Sequence, residues 1–135
     1  MKTACLDSNV LFGVLAGRLP GAPLEMYDQL LIPTTVVGEF LCGIESDTKR
    51  GRLQKAVFDR FVASPSVRLV AVTPTTAEQY AKIFAFLKRN GTPIPVNDIW
   101  IAASAMEHGS ELVSNDEHFA RIATLRTKNL SVAGS

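Results

Sequence analysis

Thr3-Ala4-Cys5-Leu6-Asp7-Ser8-Asn9-Val10-Leu11 is the stretch from which the fold is read. Thr3 to Leu6 is a short, mostly apolar run of strand length. Asp7, Ser8 and Asn9 are turn and helix-cap residues, and Val10 to Ala16 reads as a short helix closed by Gly17. A strand that passes through a capping acid into a helix is half of a βαβ unit, and the same alternation recurs downstream. The Pro/Gly-rich turn from Leu19 to Pro23 and a helix around Glu25 to Gln29 lead to a second strand, Leu30-Leu31-Ile32. Pro33-Thr34-Thr35 starts a helix through Val36, Val37, Phe40, Leu41 and Ile44. Another helix covers Lys49 to Val62, with Leu53, Val57 and Phe61 on its apolar stripe. Val67 to Val72 is a third strand.

Thr75 with Glu78 fits a capping box, opening a helix that turns Tyr80, Ile83, Phe84 and Leu87 inward and ends at Asn90-Gly91. Pro93-Ile94-Pro95 is a stiff connector, and Asn97-Asp98 begin a helix that runs to about His108, stopped by Gly109. Leu112-Val113 is a fourth strand ending in Ser114-Asn115-Asp116. A helix with Phe119 and Ile122 follows, and Leu130-Ser131-Val132 gives a last strand. Strands alternating with helices predict an α/β fold with a mainly parallel sheet. No repeat, low-complexity tract or linker divides residues 1–135, so one domain is expected.

Composition narrows the class. At 47% hydrophobic and 20% charged, the 135 residues are too apolar for intrinsic disorder. No charge-free apolar run approaches the roughly 18 residues of a membrane span. Val10 to Ala16 imitates the apolar part of a signal peptide, but Asp7 precedes it and no small-residue cleavage site follows. A soluble cytoplasmic chain is expected. Cys5 and Cys42 lie far apart among apolar residues and lack C-x-x-C spacing, which predicts buried free thiols. A formal charge of +1 argues against a basic-tail polyanion binder.

The acids point to chemistry. Ligands of open parallel sheets bind beyond the carboxyl ends of the strands, where Asp7 and Asp116 fall. Asp98 opens a helix of apolar or small residues, Ile99 to Ala103, and Glu39 stands between Val36-Val37-Gly38 and Phe40-Leu41-Cys42. Each acid also has a structural reading. Asp7, Asp98 and Asp116 suit helix caps or first turns, and Glu39 suits an exposed helix face. Together, though, four acids occur where strand ends and apolar helices converge, and no Lys or Arg obviously pairs with them. Clustered carboxylates repel unless cations intervene. An all-oxygen set without Cys or His suits Mg²⁺ or Mn²⁺ rather than zinc. The chemistry expected of such ions is phosphodiester hydrolysis.

Asp7-Ser8-Asn9-Val10-Leu11, Val37-Gly38-Glu39-Phe40, Asn97-Asp98-Ile99-Trp100-Ile101-Ala102-Ala103 and Leu112-Val113-Ser114-Asn115-Asp116-Glu117-His118-Phe119 resemble the successive motifs of PIN-domain nucleases. Their order and the chain length most resemble the VapC toxins of toxin–antitoxin pairs. The resemblance implies a three-layer α/β/α fold with a mainly parallel sheet of four to five strands. It also implies a Mg²⁺-dependent endoribonuclease, with Mn²⁺ as a substitute ion. Carried over by position, Asp7, Glu39, Asp98 and Asp116 form the catalytic set, with Asp7, Asp98 and Asp116 as metal ligands. Asn9 and Ser114 support them, Ser114 standing where the family usually has Thr. The resemblance further implies an antitoxin partner whose tail covers the acidic pocket, a homodimer, and contact with promoter DNA only through the antitoxin.

Other residues carry two readings each. Arg50, Arg52 and Lys55, with Lys49 and Arg60, form either a solvated helix face, since Glu45, Asp47 and Asp59 are interspersed, or a track for RNA phosphates. Trp100 suits core packing better than base stacking. His108 suits a helix C-terminus. His118, two residues from Asp116, is expected to point elsewhere, as helical spacing dictates. A phosphatase working through a phosphoaspartate at Asp7 lacks the second aspartate, since Asn9 stands there. A degenerate PIN fold serving as a binding or scaffold module conflicts with the intact acids. Setting the four acids aside leaves nine acidic residues against 14 basic, a balance of +5, so the near-neutral total conceals a moderately basic surface.

Overall fold

The strand that opens the sequence lies at the centre of the sheet. The computed structural model describes residues 1–45 and 47–130. β1 (Thr3–Leu6) pairs on one side with β2 (Gln29–Pro33) and on the other with β4 (Glu111–Val113). β3 (Val67–Val70) extends the sheet beyond β2 and β5 (Thr127–Lys128) extends it beyond β4, all pairs being parallel. The order is therefore β3-β2-β1-β4-β5. Ala4, Cys5 and Leu6 are wholly buried, as a strand covered on both faces requires.

Among the described residues five α-helices connect the strands: α1 (Ser8–Leu15), α2 (Thr34–Gly43), α3 (Lys49–Val62), α4 (Pro74–Asn90) and α5 (Val96–Glu107). Parallel crossovers are right-handed. The chain steps outward from β1 to β3 and then returns across β1 to β4. Its two sets of helices therefore cover opposite faces in a three-layer α/β/α arrangement. One continuous core joins Leu6, Ile32 and Leu112 of the sheet to Val10, Val36 and Phe40 of one helical set and Ile101 and Ala102 of the other. Burying a side chain such as Leu6 or Leu112 contributes about 1.5–3 kcal/mol. Trp100 stacks on Tyr80 with ring centroids 4.1 Å apart, which ties α5 to α4 and makes packing its role.

Several expectations are corrected. The helix expected at Glu25–Gln29 is a short 3₁₀ turn over Ala22–Met26, started by Pro23, and Gln29 already belongs to β2. The capping box lies at Thr73 and Thr76 rather than Thr75 and Glu78. Pro74, with φ preset for a first helical position, starts α4 earlier. On α3 the buried side chain is Phe58, stacked on Phe40 at 4.8 Å, with Phe61 half-buried against the core as expected, while Leu53 and Val57 are 59% and 44% exposed. Phe84 is also outward, 47% exposed. Cys5 is buried, and burial, then Asp7, push its thiol pKa far up, but Cys42 is exposed on α2. The last strand is β5, short of the expected Leu130-Ser131-Val132. Leu130 is buried outside the sheet, and Ser131 and Val132 lie outside the described residues.

Candidate metal centre at the carboxyl edge of the sheet

The chain leaves β1 towards β2 and later enters β4 on β1's other side. The carboxyl ends of β1 and β4 thus flank the topological switch point, where crossovers depart in opposite directions and leave a crevice. Asp7 follows the last residue of β1 and is only 4% exposed. Its extended backbone (φ −82°, ψ 173°) makes it the N-cap of α1, with Oδ1 accepting from the Val10 N–H at 2.8 Å. Oδ2 accepts from the Ser114 hydroxyl. The capping and site readings of Asp7 thus describe one side chain. Burial raises its pKa above the ordinary aspartate value. Asp116 and Asp98 add to the rise, and the Ser114 and Val10 donors oppose it.

Ser114, the first residue beyond β4, links two acids. Its hydroxyl donates to Asp7 and accepts from the Asp116 N–H at 3.0 Å. Asp116 caps a 3₁₀ turn over Glu117–Arg121, its Oδ1 accepting from the His118 N–H at 2.9 Å. Asp98 enters from the first turn of α5, where Pro95, with no side-chain donor or acceptor, occupies the cap. Burial again raises the Asp98 pKa first. His118 lowers it by hydrogen bond and charge, and Asp116 raises it further, leaving the net shift upward.

His118 departs from expectation. Its Nδ1 donates to Asp98 Oδ2 at 3.2 Å and lies 3.2 Å from Asp116 Oδ1. Helical spacing would separate Asp116 from His118, but Asp116 is an extended cap outside the turn (φ −87°, ψ 128°), so both side chains reach the same side. A capping aspartate two residues before a histidine was the signal available in the sequence. One ligand atom from each of Asp98, Asp116 and His118 falls within 4.8 Å of the others.

The remaining expected residues stand further out. Glu39, half-buried on α2, lines a cleft with Thr35, Gly38 and Asn97, the neighbour of Asp98. Its Oε1 is buried without a hydrogen-bond partner. Asn9 is exposed on the first turn of α1. Arg50, Arg52 and Lys55 lie on α3, away from the acids by sequence element and partner. Arg50 borders a groove with Phe12, Leu53 and Val57. Arg52 donates to the Asp47 carbonyl at 3.1 Å, and Lys55 pairs with Asp59 at 2.6 Å.

Among the described residues, no Lys or Arg pairs with Asp7, Asp98 or Asp116. Asp7 and Asp98, whose pKa values burial raises and the Asp116 charge raises further, form with Asp116 a donor set that a hard divalent cation fits.

Comparisons with known proteins agree with this geometry. The family model described as PIN domain matches residues 4–125. The protein named Ribonuclease VapC2 of Haemophilus influenzae is 32% identical over 129 residues, covering 92% of this chain and 95% of that protein. In fold, the chain is similar to VapBC2 from Rickettsia felis bound to a DNA fragment from their promoter, with a TM-score of 0.83. That match has 22% identity and covers 96% of this chain and 99% of the other. DNA-bound VapBC from Salmonella typhimurium gives 0.81 at 23% identity, covering 96% and 98%. The strand order, the switch-point acids and the sequence match of residues 4–125 lead to one assignment: the chain belongs to the PIN-domain family, in its VapC branch.

Proposed function

We propose that this chain is a metal-dependent endoribonuclease that hydrolyses RNA phosphodiester bonds as the toxin of a type II toxin–antitoxin pair. The observation that carries the reading is the convergence of Asp7, Asp98 and Asp116, from three separate elements, at the switch point with no Lys or Arg among the described residues to neutralise them. Asp7, Asp98 and Asp116 would hold Mg²⁺, with Mn²⁺ as a substitute. Bound there, the ion supplies Lewis-acid charge to phosphate oxygens and lowers the pKa of a water nucleophile.

The protein's own part is positioning. Val10 and Ser114 fix both oxygens of Asp7, so its carboxylate is preorganised and turns towards Asp98 and Asp116 without rearrangement. Through its second hydrogen bond, Ser114 sets Asp116 relative to Asp7. Glu39 offers an unpaired oxygen from α2, in a cleft it shares with Asn97, the neighbour of Asp98, and Asn9, exposed on the first turn of α1 two residues after Asp7, would orient a water or a phosphate. Arg50 is the α3 residue best placed to meet RNA phosphates, because Arg52 and Lys55 must first release Asp47 and Asp59.

The whole chain, residues 1–135, acts as one nuclease domain in the cytoplasm, as a homodimer. No helix among the described residues is long and apolar enough to cross a membrane. The similarity to DNA-bound VapBC complexes supports an antitoxin partner; by the family resemblance, that partner's tail covers the acidic pocket and promoter DNA is met only through it.

Cleavage of total RNA in Mg²⁺, with and without EDTA, tests the reading. Wild-type protein is expected to cleave only with metal, and Asp7→Ala and Asp98→Ala are expected to be inactive. Cleavage that survives chelation, or is untouched by both substitutions, overturns it.

A further inference from the structure

Asp7, Asp98 and Asp116 do not exhaust the donors at the switch point. His118 brings a nitrogen between two of them, and its side chain, 38% exposed, stands open to solvent at the rim. Its Nδ1 is 3.2 Å from an oxygen of Asp98 and 3.2 Å from an oxygen of Asp116. Ligands about 2.1 Å from a six-coordinate ion lie about 3.0 Å apart when they occupy neighbouring corners. The two N···O separations are therefore those of adjacent ligands on one cation. The histidine is also anchored for this. Asp116 holds its backbone N–H at 2.9 Å, so the ring is presented to the two carboxylates by a fixed turn.

We propose that His118 is a ligand of the ion held by Asp98 and Asp116, and that this nitrogen makes the site prefer Mn²⁺ to Mg²⁺. The inference rests on the metal-dependent reading above and, by adding a nitrogen to the all-oxygen set, reverses its order of ions. Mg²⁺ gains little by exchanging water for imidazole, whereas imidazole suits first-row transition ions. On ligation the hydrogen bond from Nδ1 to Asp98 is given up. The ring proton resides on Nε2, and the Nδ1 lone pair meets the metal. The Nδ1 proton passes to solvent, and a neutral ring that carried its only proton there takes one back from solvent on Nε2.

The test measures binding of Mn²⁺ and Mg²⁺ to the purified protein by calorimetry, with pulsed electron paramagnetic resonance of the Mn²⁺ complex. His118→Gln keeps a donor towards Asp98 but removes the imidazole, His118→Ala removes both, and Asp98→Asn is the control. Circular dichroism establishes that each variant is folded. Wild-type protein is expected to bind Mn²⁺ at least about ten-fold more tightly than Mg²⁺ and to show spin-echo modulation from a coordinated nitrogen. Both His118 variants are expected to lose about ten-fold in Mn²⁺ affinity, to hold Mg²⁺ within about three-fold, and to lose the nitrogen signal. If wild-type protein binds Mn²⁺, Asp98→Asn abolishes that binding, and His118→Gln changes neither affinity nor spectrum, His118 is not a ligand while the metal site stands. If wild-type protein binds neither ion, the metal-dependent reading falls together with this one.

Discussion

Helix α5 carries a carboxylate at each end, and the two behave in opposite ways. At its first turn, Asp98 holds its proton more tightly than an ordinary aspartate: burial dominates and Asp116 adds repulsion, against the help of His118. At its last turn, Glu107 releases its proton more readily than an ordinary glutamate. Burial pushes it up, but the hydroxyls of Thr76 and Thr73, and then His108, outweigh that push. The helix dipole alone predicts the reverse, since it favours an anion at the N-terminus and disfavours one at the C-terminus. Its contribution, about 0.3–1 kcal/mol, is smaller than the roughly 1.5–3 kcal/mol of a hydrogen bond to a charged group. What faces a carboxylate therefore decides its state. Glu107 is met by donors that tie α5 to the start of α4, with Thr73 Oγ1 donating at 2.8 Å. Asp98 has only His118 against burial and the charge of Asp116, a deficit that a cation would remove.

The largest expected effect separates the two ends by function. Asp98→Asn is expected to reduce RNA cleavage by at least about 100-fold, while Glu107→Gln stays within about two-fold per folded molecule. Equal losses in a single-turnover assay would break the comparison. Next in size is stabilisation by metal. Divalent ion at about 100 times its Kd is expected to add about 2.7 kcal/mol to wild-type and Glu107→Gln protein, read as a rise in Tm, and little to Asp98→Asn.

Without metal, stability and its pH dependence distinguish the ends again. Glu107→Gln is expected to cost about 1–2 kcal/mol, whereas Asp98→Asn is expected to stabilise by less than about 1 kcal/mol. The lowered pKa of Glu107 means that its contribution is complete above the ordinary value of about 4.3 and is lost as pH falls through the folded-state pKa. The Glu107→Gln deficit should thus close in acid. The raised pKa of Asp98 means no penalty below about 3.9, where the carboxyl is neutral folded or unfolded, and a growing penalty as pH rises through the folded-state pKa. The Asp98→Asn advantage should thus open as acid is removed. Urea unfolding across pH 3–7 reads both trends. The smallest effect belongs to His108, whose Nδ1 donates to the Ser104 carbonyl at 2.9 Å and adds only a weak charge effect on Glu107. His108→Ala is expected to cost at most about 0.5 kcal/mol in the same assay.

Legibility in the sequence followed the range of the interactions. The alternation of strands and helices, and the acids placed beyond strand ends, were readable because each depends on a few consecutive residues. Errors appeared where a choice between neighbouring local solutions was settled by something adjacent. Pro74 moved the capping box to Thr73 and Thr76, and the same effect at Pro23 turned an expected helix into a 3₁₀ turn. On α3 the helical period was right but its phase was not. Phe58, rather than Leu53 or Val57, found Phe40 to stack on. Cys42 shares apolar neighbours in sequence with Cys5, yet α2 turns it outward. His118 was missed because a helix was assumed where Asp116 is an extended cap.

The sequence by itself determined the βα alternation, a mostly apolar first strand and the identity of the acids, since hydrophobic period and cap chemistry are local properties of the chain. Only the tertiary structure decided that Ser114, 107 residues from Asp7, would hold its carboxylate, and that Asp98 and His118, 20 residues apart, would share a hydrogen bond. Those contacts arise because the return crossover sets β4 beside β1, and strand order is settled by the burial of whole faces rather than by any short run of residues.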